Sequence, residues 1–203
     1  IRPVLEKYAQ KDARIKVVFR EINGHISRAS NSALDLATGS WIALLDHDDL
    51  LSEHALFWVV DALNRYPDSR MIYSDEDKID ECGVRFGPYF KCDWNEDLFL
   101  SHNLITHLGV YRTDLVRELG GFRTGFEGAQ DYDLAIRFIE RIKPAQIHHI
   151  SRVLYHWRVH AESTARALDN KPYALVSGQK ALNEHFTRQN IKATAELLDF
   201  GMY

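Results

Sequence analysis

Cysteine is scarce in this sequence. Only Cys82 and Cys92 are present, and they do not form a Cys-x-x-Cys pair. Their spacing is compatible with a disulfide, but two free thiols in a reducing compartment are the simpler interpretation. Without Cys-x-x-Cys pairs, the sequence carries no signal for a structural zinc site.

Long hydrophobic runs and an excess of basic residues are also missing. The longest apolar runs are far shorter than the ~20 residues that a membrane-spanning helix needs. The formal net charge of −4 provides no broad basic field for a nucleic-acid backbone. The 203 residues, 45% hydrophobic and 27% charged, are instead typical of a globular protein with a sizeable core. We therefore expect neither a transmembrane segment nor a nucleic-acid partner.

The first 75 residues alternate between strand and helix patterns. Short apolar runs predict strands, and amphipathic stretches predict helices. The predicted elements are strands at 15–19, 41–45 and 71–73 and helices at 27–37 and 52–66. This alternation is typical of a parallel α/β sheet with helices packed on its faces.

The remainder of the sequence is less regular. Residues 76–103 hold glycine, proline and aromatic residues without clean periodicity, and such a long loop in a compact domain is usually functional. Beyond it, the patterns predict strands at 104–112, 146–150 and 152–157 and helices at 114–119, 131–142 and 172–189.

The strongest chemical motif is the acidic run from Asp46 to Asp49, directly after the apolar run 41–45. Ligands of open α/β sheets lie at the carboxyl ends of strands. Carboxylates crowded at that position repel one another unless a cation such as Mg²⁺ or Mn²⁺, which also bridges to phosphates, neutralises them. The alternative is a solvated acidic turn that caps the next helix.

Two further motifs carry functional side chains. Gln130 and Asp131 begin a predicted helix after a glycine-rich approach, so Asp131 is either a helix cap or a catalytic carboxylate. In the run Tyr155-His156-Trp157-Arg158, His156 could bind a metal or phosphate and Trp157 could stack on a sugar ring. A histidine on a strand is more often a satisfied core residue, and this alternative stays open.

Taken together, these motifs resemble the family 2 glycosyltransferases with the GT-A fold. The central block of the family is matched by Asn23-Gly24, Ser27 to Asn31, Gly39 and Trp41 to Asp49. A bacterial subgroup that builds surface polysaccharides such as O-antigen is matched by Tyr73 to Lys78, Lys91, Trp94-Asn95, Gly120 to Phe122, Gly128 to Leu134 and Tyr155 to Arg158. Several blocks in order are far more specific than one Asp-x-Asp triplet.

The resemblance implies a GT-A-like, Rossmann-like α/β fold with a mostly parallel central sheet and helices on both faces. It also implies residue roles: Asp131 as the catalytic base, Asp48 and His156 at a metal, Arg28, Asp46 and Asp49 at the nucleotide sugar, and Trp94, Gln130, Trp157 and Arg158 as candidate contacts of the acceptor or sugar. One departure is Gln130, which stands where the family normally has a glutamate.

The activity implied by the resemblance is inverting transfer of a sugar from a nucleotide-diphosphate-sugar donor to a hydroxyl acceptor in bacterial polysaccharide synthesis. The donor would be a UDP- or dTDP-sugar, the cofactor Mn²⁺ or Mg²⁺, and the acceptor a glycan or lipid-linked glycan. The expected location is cytoplasmic, with the inner face of the membrane as one option. Two other classes are a non-catalytic nucleotide- or carbohydrate-binding module and a metal-dependent phosphohydrolase or nucleotidyltransferase.

We predict one glycosyltransferase domain over residues 1–203. Residues 1–75 would complete the nucleotide-binding half, residues 76–170 would form the acceptor and catalytic half, and residues 171–203 a C-terminal helix and tail. Members of the family begin with a strand, a nucleotide-binding loop and a second strand, and this sequence starts after that segment. It is therefore interpreted as N-terminally truncated, with further domains in a longer chain and an activity that the isolated piece could lack.

Overall fold

A computed structural model describes residues 1–159, 172–198 and 202–203 of the chain. Seven α-helices are present in the described ranges: α1 (Arg2–Lys11), α2 (His25–Leu36), α3 (Ala55–Arg65), α4 (Glu96–Ser101), α5 (Thr113–Glu118), α6 (Gln130–Ile139) and α7 (Pro172–Arg188). No helix in this part of the protein is long and apolar enough to cross a bilayer.

Six strands in the described part of the chain form one mixed sheet. They are β1 (Trp41–Ala43), β2 (Leu50–Leu51), β3 (Met71–Ile79), β4 (Arg85–Tyr89), β5 (Gly109–Arg112) and β6 (Ile147–Arg158). The order across the sheet is β1-β5-β3-β6-β2, and β4 pairs with β3 beside this path. The mixed α/β class predicted from the sequence is confirmed.

The pairing of the strands differs from the mostly parallel sheet that was expected. Only β3 and β6 pair in parallel, whereas the other pairs described are antiparallel. The strands β1, β3 and β6 nevertheless run in one direction, because β5 lies between β1 and β3 and is antiparallel to both. The chain reaches β5 through β4 and α4 rather than through a crossover helix, so it enters the sheet in the opposite direction.

Several predicted elements have different bounds in the structure. The predicted strand at 15–19 is not a strand, and Ile15 and Val18 within it are exposed. The two strands predicted at 146–150 and 152–157 are one strand of 12 residues, β6. Within the region predicted to be a loop, β3 continues to Ile79 and forms a hairpin with β4.

Helices pack on both faces of the sheet, as predicted. Alternate side chains of β3 point to opposite faces, so Met71 and Tyr73 join one apolar cluster and Ile72 joins the other. The larger cluster contains residues of α2, α5, α6 and α7, and the smaller one contains the inner face of α3. Apolar burial on both faces fixes the register of the central strands and therefore the position of the loops that follow them.

Candidate functional site

A cleft of about 940 Å³ opens at the edge of the sheet beyond the carboxyl end of β1. Its walls come from α2, the loop after β1, the turn between α4 and β5, the beginning of α6 and the end of β6. Its polar lining includes Asp46, Glu76, His102, Asn103, Thr106, His107, Gln130, Asp131 and Tyr155. Polar groups from separate elements thus converge on one concave surface, as they do in small-molecule sites.

The acidic turn after β1 is fixed by β6. The Tyr155 hydroxyl donates to Asp49 Oδ2 at 2.5 Å and accepts from the Asp46 backbone N–H at 3.1 Å. The backbone N–H of Arg158 donates to Asp49 Oδ1 at 2.7 Å, and the Arg158 side chain donates to the carbonyl of Asp48. Asp49 is buried in this arrangement, whereas Asp46 extends to the cleft. The turn is therefore held rigidly although it lies in a loop.

One group of side chains near this turn has the composition of a cation site. Ligand atoms of Asp46, Asp49 and His107 lie within 4.8 Å of one another. Two carboxylates and one imidazole are donors that a divalent ion accepts, and opposite ligands of an ion with bonds of about 2.1 Å are about 4.2 Å apart. Modest side-chain adjustment would bring the three atoms to bonding distance, so the residues present fit a divalent cation. Asp48 lies on the same turn and contacts the His47 ring at 3.5 Å.

Asp131 faces the same cleft from the first turn of α6. The Nδ2 amide of Asn103 donates to Asp131 Oδ2 at 2.9 Å. Burial raises the pKa of Asp131, while His107 and the backbone N–H groups of Asp131 and Tyr132 act in the opposite direction. A half-buried carboxylate with a raised pKa that faces a cleft is suited to accepting a proton.

Asp46 is influenced by the same surroundings. Although part of the residue is open to solvent, burial of its carboxyl and the nearby Asp49 and Asp48 raise its pKa, and His107 opposes that effect. The imidazole of His107 is thus electrostatically linked to both Asp46 and Asp131. His107 itself stacks on Tyr155, with ring centroids 4.4 Å apart.

Asp133, two residues along α6, has a different environment. Its carboxylate is 1% exposed and forms salt bridges with Arg123 and, at 2.9 Å, with Arg137. Positions i and i+2 of a helix do not share a face, so Asp133 points into the core while Asp131 points into the cleft. Asp133 is a structural residue.

Four of the residues that the sequence singled out do line the cleft: Asp46, Gln130, Asp131 and Trp157. The Gln130 side chain accepts a hydrogen bond from the Gly128 N–H and so closes the glycine-rich approach to α6. Trp157 is 42% exposed and meets the His107 ring edge-on, with centroids 6.2 Å apart. Asp48 and Asp49 belong to the turn beside this wall, and Arg158 at the end of β6 donates hydrogen bonds to both.

The structure does not bring His156, Trp94 or Arg28 to the cleft lining. Tyr155 and Trp157 point to the cleft, so His156 between them points to the other face of β6, where its Nδ1 contacts Asp77 at 2.5 Å. Trp94 packs on Phe99 against the core. Arg28 is exposed on α2.

Asn103 and His107 are two of the cleft residues that the sequence did not identify. Both lie in the turn before β5, where no periodicity or short motif distinguishes them. The sequence does point to the side chains that hold this turn, because Glu76 and Lys91 fall within the segments that resemble the bacterial glycosyltransferase subgroup. The sequence therefore predicted only part of the site.

A buried ion pair fixes the turn that carries His107. The Lys91 side chain is 0% exposed, and its ammonium lies 3.2 Å from Glu76 Oε2. It also donates to the backbone carbonyls of Ile105 and His107 at 2.8 and 2.6 Å. Glu76 Oε2 in turn accepts from the His107 N–H at 3.0 Å. Because both charges are satisfied by the turn, the pair holds His107 in place.

Comparisons with known proteins agree with this fold. The sequence model described as "Glycosyl transferase family 2" matches residues 1–120. An uncharacterized protein of Sinorhizobium fredii is 54% identical over 96% of this chain, and the O-antigen biosynthesis protein RfbC of Myxococcus xanthus is 35% identical over 94%. The chain spans only 22% and 15% of the length of these two relatives.

Solved structures with low sequence identity share the architecture. TarS of Staphylococcus aureus, residues 1–349, in complex with UDP-GlcNAc, superposes with a TM-score of 0.60 at 19% identity over 93% of this chain and 61% of TarS. The mannosyltransferase PcManGT of Pyrobaculum calidifontis, in complex with GDP-Man and Mn²⁺, gives 0.54 at 18% identity over 96% of this chain and 52% of that protein. These likenesses establish a GT-A fold.

Proposed function

This chain belongs to glycosyl transferase family 2, and on that premise we propose that its cleft transfers a sugar from a nucleotide-diphosphate-sugar donor to a hydroxyl acceptor. The observation that supports this most directly is the placement of Asp46 and Asp131 in one cleft, on walls built by different elements. An acidic turn that can hold a cation and a second, separate carboxylate are the two parts that such a transfer needs. The 35% identity to an O-antigen biosynthesis protein supports a bacterial surface glycan as the acceptor.

The donor diphosphate is proposed to bind beside the acidic turn. Asp46, Asp49 and His107 would hold a divalent ion, Mn²⁺ or Mg²⁺, and Asp48 on the same turn is a further ligand implied by the family resemblance. When bound, the ion supplies positive charge that stabilises the departing diphosphate. The GDP-Man and Mn²⁺ complex of PcManGT supports a metal-dependent nucleotide donor.

Asp131 is proposed to act as the general base. Its carboxylate accepts the proton of an acceptor hydroxyl, and the hydroxyl oxygen then attacks the anomeric carbon on the side opposite the diphosphate. Attack from that side inverts the anomeric configuration. The Trp157 ring and the Gln130 amide line the same cleft and would contact the sugar or the acceptor.

Metal-dependent nucleotide binding provides the test of this proposal. We expect Mn²⁺ to promote binding of UDP, dTDP or GDP to the native full-length protein in calorimetric titrations. Asp46→Asn and Asp48→Asn should each weaken this binding by at least tenfold, because each removes one negative oxygen ligand from the turn. The fold should remain intact, because both side chains contribute little to packing.

Asp68→Asn is a matched control, because Asp68 is exposed in a loop remote from the cleft. It changes the same charge and should leave nucleotide affinity unchanged. If Asp46→Asn and Asp48→Asn both bind as the wild type does in the presence of Mn²⁺, the acidic turn is not the donor site and the proposal is wrong.

A further inference from the structure

Asn103 makes two hydrogen bonds that fix the orientation of its side-chain amide. Its Oδ1 accepts from the Thr106 N–H at 3.2 Å, and its Nδ2 donates to Asp131 Oδ2 at 2.9 Å. A backbone N–H can only donate and a carboxylate oxygen can accept, so both partners require the same orientation. The amide therefore connects the turn that precedes β5 to the first turn of α6 by one hydrogen bond to each.

The turn that carries Asn103 is itself immobilised. The Thr106 hydroxyl donates to Glu76 Oε2 at 2.8 Å, and Lys91 binds Glu76 and the carbonyls of Ile105 and His107. Because Lys91 and Glu76 are buried, displacing the turn would leave charged partners unsatisfied. The position of Asn103 relative to Asp131 is consequently fixed by this immobilised turn.

The Asp131 carboxylate needs such a partner. Three titratable groups face it from separate elements: His107 on the turn, Asp46 after β1 and Tyr111 on β5. Burial and Asp46 disfavour its charged form. A hydrogen bond donated to a carboxylate stabilises the charged form and restricts rotation of the group.

We propose that Asn103 is a positioning residue, whose amide holds the Asp131 carboxylate ionised and in the orientation that accepts the proton of the acceptor hydroxyl. This inference rests on the proposed function and adds to it the residue through which the base is controlled. The described polar contacts of Asn103 go to Asp131 and to its own turn, so we expect its replacement to affect the base rather than donor binding.

Asn103→Asp separates positioning from a merely structural role. The aspartate has the same shape and retains an oxygen for the Thr106 N–H, but in its ionised form it has no donor for Asp131 and adds a negative charge beside it. We expect kcat to fall by roughly 10–100-fold, the range for losing a hydrogen bond to a charged group, with the KM for the donor within about twofold of wild type. Asn103→Ala should show the same division between kcat and KM.

Asn64→Asp is the matched control, because Asn64 is exposed on α3 and away from the cleft. It should leave kcat and KM unchanged, and thermal unfolding should show that all three variants fold. The double variant with Asp131→Asn should lose no more activity than Asp131→Asn alone, because the two residues act through one carboxylate.

The outcomes distinguish the inference from the function on which it rests. If Asp131→Asn is inactive but Asn103→Asp transfers at the wild-type rate, Asn103 only supports the turn and the inference is overturned. If Asp131→Asn itself keeps the wild-type rate, the base assignment in the proposed function fails, and the role of Asn103 fails with it.

Discussion

Replacing Asp131 with asparagine is expected to reduce sugar transfer by roughly 10²–10⁴-fold, the usual contribution of a general base. The amide has nearly the same shape but does not take up a proton, so the acceptor hydroxyl would have to attack without losing its proton. Nucleotide binding should remain nearly intact, because the acidic turn that would hold the donor is unchanged. Steady-state transfer with the native acceptor and calorimetry with the nucleotide measure these two effects separately.

The pH dependence gives an independent readout of the same carboxylate. Burial raises the pKa of Asp131 in the folded protein, and a base must be deprotonated to act. Transfer should therefore increase with pH along a limb that lies above the range of an ordinary aspartate, and Asp131→Asn should lose that limb. Full transfer activity in Asp131→Asn, with the limb unchanged, would show that another group is the base.

Replacing Asp133 with asparagine is expected to have a large effect on stability. Its carboxylate is 1% exposed and is shared by Arg123 and Arg137, and Arg137 is itself only 8% exposed. Removing one partner from a buried ion pair leaves an uncompensated charge and costs about 3–5 kcal/mol. The free energy of unfolding in urea should decrease by this amount, whereas Asp131→Asn should change it much less.

Asp61 offers a matched control for this effect. It pairs with Arg65 at a spacing of four residues on α3, just as Asp133 pairs with Arg137 on α6, but the Arg65 and Asp61 side chains are 64% and 28% exposed. Exposed pairs contribute about 0–1 kcal/mol, so Asp61→Asn should barely alter the unfolding midpoint. Equal losses in Asp61→Asn and Asp133→Asn would contradict the role given to burial.

The features that the sequence predicted well depend on local patterns. The helix predicted at 131–142 occurs as Gln130–Ile139 and the one at 172–189 as Pro172–Arg188, because apolar periodicity defines such helices within a few residues. The acidic run after an apolar strand is also a local pattern, and its Asp46 lines the cleft at the sheet edge. Asp131 at a helix start was likewise recognisable, and the structure brings it to the same cleft.

The features that the sequence did not predict depend on contacts between distant segments. The insertion of β5 between β1 and β3 pairs residues about 70 positions apart, such as Trp41 and Arg112, and no local pattern encodes that choice. The same holds for Asn103 and His107, whose partners come from β3 and α6. The face of β6 to which His156 points depends on the register of the strand. That register shifts at irregularities in the pairing of β3 with β6, and a local sequence pattern does not encode these shifts.

The position of Trp157 gives the protein an optical signal of its own. Among its four tryptophans, Trp41, Trp58 and Trp94 are absent from the cleft lining, whereas Trp157 lies in it with 42% of its surface open to solvent. A ligand that enters the cleft displaces water from this indole. Intrinsic fluorescence can thus follow occupancy of the cleft on the timescale of mixing, without a label and without turnover.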